Sequence, residues 1–239
     1  MNKFKITPSF IITLLFILFS PYQKNIIGIL LVLFIHELGH IIIALLFKIE
    51  INKVSLTGFG FIMDSDESLV FFKNLLFYFA GILFNLISLL FLSNELKYYT
   101  KILILINIIP IFPLDGFQIL KTILSYFIPY KITIKIINSI NVILLIFITI
   151  FLLPRFDYLC IINLCYLWLI EILNIKNQYI EYEHFILKKY LFPNKSKIKK
   201  VRFIENRWKY LYKYHYIITS INNKNVEELD YLGYYFIKK

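Results

Sequence analysis

Long runs of Ile, Leu and Phe follow one another along the chain with only short polar punctuation, and within each run the apolar residues are continuous, not alternating. At about 1.5 Å per residue, runs of about 20 residues are long enough to cross a bilayer as helices. Lipid admits only helices or closed barrels, because every backbone polar group must find its partner internally, and barrel strands would alternate. The pattern therefore predicts an all-α polytopic membrane protein with about six transmembrane helices, near 5–20, 25–47, 69–92, 98–128, 136–153 and 157–175. The first is short, and the fourth is interrupted by Pro110 and Pro113. The opening MNKFKITPSFIITLLF has the charged head and apolar middle of a signal peptide without a small-residue cleavage pattern, so it is expected to stay as a first span. After the second helix, residues 53–63 partly alternate around Gly58 and Gly60, which predicts a short membrane-associated β-hairpin.

Composition agrees with this pattern. A mean hydropathy of +0.71 and 59% hydrophobic residues exclude an ordinary soluble domain. Lys3, Lys5, Lys48, Lys53, Lys131, Lys135 and Lys176 fall on one side of the expected spans, against Lys24, Lys97 and Arg155 on the other. The positive-inside rule then puts both termini in the cytoplasm of a cell whose membrane holds the chain. The net charge of +11 is concentrated at the end: residues 185–239 hold 13 Lys and Arg against 4 acids. The chain thus divides into a transmembrane domain, 1–176, and a basic cytoplasmic tail, 177–239. The tail's RWKYLYKYHY stretch, Arg207 to Tyr216, is expected to lie on anionic lipid or a partner and not on nucleic acid. Cys160 and Cys165 are spaced for neither a disulfide within a helix nor a metal clip, and are read as lipid-facing or packing residues.

One run contains groups that lipid does not favour. FIHELGHIII, residues 34–43, places His36, Glu37 and His40 in a stretch with no Lys or Arg from Ile26 to Phe47. Ionisable groups at membrane depth are costly, so they mark function by default. Four residues apart on a helix, His36 and His40 project from one face and can chelate one metal ion, with Glu37 beside any water on that ion. Gly39 leaves room for another helix to approach. A catalytic zinc site needs a third protein ligand. His184 and His215 lie beyond the last span and are expected at the surface; the better candidate is Asp115 in NIIPIFPLDGFQIL, where the prolines free backbone groups that are costly in lipid unless they line a cavity. A helical transporter or metal-binding channel could use the same His and Asp groups. Glu37 between two same-face ligands, with no detectable internal repeat, favours hydrolysis.

HELGH at 36–40, taken with Asn107, Pro110, Pro113, Leu114, Asp115 and Gly116, resembles the paired motif of the site-2 protease family of intramembrane zinc metalloproteases. The short tail and the lack of an inserted PDZ domain resemble the branch containing stage IV sporulation protein FB, which processes a pro-sigma factor in sporulation. The tail is shorter than the nucleotide-binding domain that many of that branch carry. The resemblance implies one Zn2+ held by His36, His40 and Asp115, with Glu37 as general base. It implies that Asn107 helps hold substrate or the developing oxyanion, and that Asn85, at the end of AGILFN, is a further substrate-side residue. It also implies a membrane-associated protein substrate, inhibitory or regulatory membrane proteins as partners, and a bacterial cell membrane as location.

Overall fold

The computed structural model describes residues 4–6, 23–49, 51–57, 60–65, 70–152, 158–193, 198–200, 211–221, 224–230 and 232–233. They form two compact units, one made of residues 1–68 and 72–119, the other of 69–71 and 120–239.

In the first unit, helix α1 (Gln23–Phe47) is apolar on nearly all sides, as expected of a segment with lipid around it. It ends where Lys48 takes a left-handed φ of 52°, with the amides of Lys48 and Ile49 returning to the carbonyls of Leu45 and Ala44 at 3.3 and 2.9 Å. Lys73 Nζ donates to the Phe47 carbonyl at 3.3 Å, which places a cation at the negative end of the helix. Beyond this stop lies the expected hairpin: β2 (Ile51–Thr57) pairs antiparallel with β3 (Gly60–Ser65). A third strand, β1 (Phe4–Ile6), pairs parallel with β2, so β2 is the central strand. The sequence pattern did not show β1, because three residues carry no readable period. Helix α2 (Phe71–Ser88) follows. Its Ala80 carbonyl sits only 2.7 Å from where a Cβ on Gly39 would be, so the expected room beside Gly39 is taken by α2. Ala44, Phe77 and Tyr78 form a buried apolar cluster with Ile43, Ile49 and Ile119 around it. Helix α3 (Asn94–Ile108) starts after Ser93, with Glu95 in the first turn where the helix dipole favours an acid.

The second unit holds most of α4 (Asp115–Phe127), α5 (Tyr130–Leu152), α6 (Tyr158–Leu191) and a sheet of β4 (Ile198–Lys200), β5 (Tyr216–Ile221) and β6 (Lys224–Glu227). β5 is central, parallel to β4 and antiparallel to β6. This sheet was not expected, and it corrects an all-α reading of the chain. Leu211, Ile217 and Leu232 are buried with Tyr130 of α5 and with Tyr182, Phe185 and Ile186 of α6. Lys189 of α6 pairs with Glu228 and donates to the His215 carbonyl at 2.8 Å. The expectation that RWKYLYKYHY lies on lipid therefore fails for Leu211, Lys213, Tyr214 and Tyr216, which are buried, while residues 207–210 lie outside the described residues. His184 is exposed as expected, whereas His215 is half-buried between Tyr126 and Tyr212.

Among the described residues, three helices, α1 from Asn25, α2 and α5, are long and apolar enough to cross a membrane. They carry exposed Phe34, Leu45, Phe72, Phe147 and Phe151, side chains that suit lipid and not water. The expected span at 98–128 is instead two helices, α3 of 15 residues and α4 of 13, each about 20 Å long and short of the roughly 30 Å hydrocarbon core. The expected span at 157–175 is the first half of the 34-residue α6, which continues unbroken past residue 176. Most of the expected first span lies outside the described residues.

Candidate metal centre

All the groups singled out around HELGH fall in the first unit. His36 and His40 stand one helical turn apart on α1 and are 3% and 5% exposed, with Glu37 buried beside them. Asp115 comes from the other side of the sequence. After α3, Pro110 and Pro113 prevent the helix from continuing, and the chain is held by short backbone bonds, Ile111 to Ile109 and Leu114 to Ile111, both 2.8 Å. Asp115 is the first residue of the helix that resumes, α4, where an acid is favoured by the free amides.

The three side chains meet. Asp115 Oδ2 lies 3.0 Å from His36 Nε2 and 3.2 Å from His40 Nε2, and the two imidazole nitrogens are 3.3 Å apart. Ligands about 2.0–2.1 Å from one tetrahedral ion stand about 3.3 Å from one another, so the triangle fits a single divalent ion. Proton placement supports the same reading. His40 Nδ1 is 2.8 Å from the Phe77 carbonyl and donates to it, so in the neutral ring Nε2 has no proton and presents a lone pair. Asp115 Oδ2 is buried and accepts no hydrogen bond of proper geometry. With both Nε2 atoms unprotonated, the three would be converging acceptors that repel, and a cation at their centre would turn that repulsion into ligation.

Helix α2 supports this arrangement from behind. Phe77, Gly81 and Asn85 recur every four residues along its face, and Gly81 sits against the imidazoles. A Cβ there would come within 2.4 Å of His36 Cε1 and 2.5 Å of both Nε2 atoms. Asn85, expected beside substrate, has its amide 3.1 Å from His36 Nδ1. Asn107 is buried one turn before the proline break, and its Nδ2 donates to the Leu103 carbonyl at 3.1 Å. Neither the Phe77 carbonyl nor the role of Gly81 was found by reading the sequence. A backbone acceptor carries no residue signature, and the glycine of AGILFN gains meaning only once its facing helix is known.

Among solved structures, the site-2 protease from Methanocaldococcus jannaschii matches with a TM-score of 0.56 at 23% identity, over 73% of this chain and 92% of that one. The two chains share a fold. No protein-family model matches the sequence, and no curated protein does. The likeness covers the fold and does not single out the sporulation branch of that family.

Proposed function

We propose that this chain is an intramembrane zinc metalloendopeptidase of the site-2 protease type, with His36, His40 and Asp115 as metal ligands and Glu37 as general base. One observation carries the reading: three ligand atoms from two separate helices converge within 3.3 Å of one another, with an acid next to them on α1. A zinc ion held there supplies Lewis acidity, which makes water acidic enough to lose a proton near pH 7. Glu37 takes that proton and delivers it to the departing amine. Asn107, at the mouth of the proline break, holds the substrate backbone or the developing oxyanion.

A helical substrate hides its peptide bonds, so it must unwind, and its freed backbone needs partners. We assign that task to an edge of the β1-β2-β3 sheet. Among the described residues β2 is paired on both sides, so the strand we assign to docking is the outer edge of β3. Proline placed at Phe61, Ile62 and Met63 in turn is expected to slow cleavage where the lost amide faces outward, with metal content unchanged. Equal turnover by all three would remove the strand from the mechanism.

The substrate is a membrane-associated protein, and the narrower assignment is a pro-sigma factor in a spore-forming bacterium. The short stretch between Glu37 and Asn107, which leaves no room for an inserted domain, supports that branch. The lysine distribution supports cytoplasmic termini, and the resemblance of the HELGH and LDG motifs supports a bacterial cell membrane with inhibitory membrane proteins as partners. Co-expression with candidate substrates tests the core claim. Glu37→Gln is expected to keep its zinc and lose cleavage by at least about 100-fold, within the range for a general base, whereas Asp115→Ala loses both. Cleavage by Glu37→Gln at the parent rate would overturn the assignment.

A further inference from the structure

The two histidines are held at their far nitrogens in different ways. His40 Nδ1 faces a backbone carbonyl, that of Phe77, which no substitution removes. His36 Nδ1 faces a side chain, the amide of Asn85, at 3.1 Å. Asn85 is 0% exposed, so this contact was built at the cost of burying an amide in an apolar helix pair. In the observed orientation Nδ2 faces the ring, which makes His36 Nδ1 an acceptor and puts the ring proton on Nε2, the atom that points at Asp115. Asn85 Oδ1 is then left buried with no donor. Both features are wrong for a metal ligand: Nε2 needs its lone pair, and a buried carbonyl oxygen without a donor is destabilising.

One rotation frees Nε2 and gives Oδ1 a donor. Turning the amide by half a turn about its terminal bond puts Oδ1 on Nδ1, so that Nδ1 carries the proton and Nε2 is free to ligate. We propose that Asn85 is a positioning residue for the metal, not a substrate contact: its side-chain oxygen accepts the His36 Nδ1 proton, fixes that ring's tautomer and aims Nε2 at the ion. The amide thus does for His36 what the Phe77 carbonyl does for His40, and the two supports lie eight residues apart on α2 with Gly81 midway. This inference rests on the metal reading of the site.

The test uses full-length protein in detergent, stripped with chelator, with Zn2+ affinity measured by chelator competition and Co2+ absorption reporting ligand geometry. Asn85→Leu keeps the volume and removes the acceptor, and is expected to weaken Zn2+ binding about 10–100-fold and to alter the Co2+ bands. Asn85→Asp keeps an acceptor and removes the donor, and is expected to hold affinity within about threefold of the parent or better, since a carboxylate in this place is a common partner of metal-bound imidazole. Parent-like affinity in Asn85→Leu would show that Asn85 only packs and would overturn the proposal. Affinity in Asn85→Asp as weak as in Asn85→Leu would show that the amide donates, and would overturn it too. If the Leu variant does not fold, the Asp variant decides alone: Zn2+ affinity within about threefold of the parent supports the proposal, and a larger loss overturns it. Parent protein that binds no Zn2+ or Co2+, no better than Asp115→Ala, would instead sink the metal reading itself, and this inference with it.

Discussion

At the scale of single residues, Gly81 sets the strictest condition. Alanine favours a helix over glycine by roughly 1 kcal/mol, so Gly81→Ala should strengthen α2 as a helix. Yet its methyl would lie 2.4–2.5 Å from three imidazole atoms. The expected outcome is a folded protein whose Zn2+ affinity falls more than about tenfold, against no change in Gly233→Ala, where nothing lies within 4 Å. Chelator competition on both variants checks it. His36, Glu37, His40 and Asp115 were legible in the sequence because lipid-facing segments exclude such groups unless they have a task. Asn85 was legible as notable but not in its role, since a polar side chain on a helix has no address until the facing residue is known.

Among the elements, the same division holds. Continuous apolar runs revealed α1, α2 and α5, and the prolines revealed the break before Asp115. The split of 98–128 into α3 and α4 follows from that break, but its consequence, two helices each too short to cross alone, needed the structure. Polar groups between α5 and α6 were not anticipated either. Asn138 and Gln178 exchange amide hydrogen bonds across this helix pair, Gln178 Nε2 donating to Asn138 Oδ1 at 2.6 Å. Trp168 donates to Thr149 at 3.1 Å further along it. Asn138→Leu is expected to destabilise the protein by about 1 kcal/mol, in line with interhelical hydrogen bonds in membrane bundles. The double variant with Gln178→Leu should recover part of that, because no amide is then left unpaired. A thermal-unfolding double-mutant cycle with no coupling would show the pair to be incidental.

For the whole molecule, charge was the least reliable guide. The basic tail reads as a surface segment, but the structure uses part of it as interior: Lys213 is 5% exposed, with its Nζ 4.7 Å from the centre of the Tyr130 ring. Burial pushes its ammonium down from 10.5 to about 7. The unfolded chain keeps that proton up to about pH 10.5 while the folded chain releases it above about 7, so this group makes stability rise with pH across that window. Below about pH 7 both states are protonated and the burial cost is present in full. Lys213→Met is therefore expected to be more stable than the parent by a few kcal/mol at pH 6, with the gap closing toward pH 10, as followed by denaturation at a series of pH values. Side-chain composition could not reveal this, because a lysine in a basic run looks the same whether it is solvated or enclosed.

The proline break also has a kinetic meaning. On the proposed metal reading, two of the three ligands belong to one uninterrupted helix and cannot separate unless that helix unwinds, whereas the carboxylate is mounted on a joint between two short rods. An ion leaving this site would let go of Asp115 first, and a returning one would land on the histidine pair before the joint closes over it. On that reading, stiffness at residues 109–114 would set how long the ion stays.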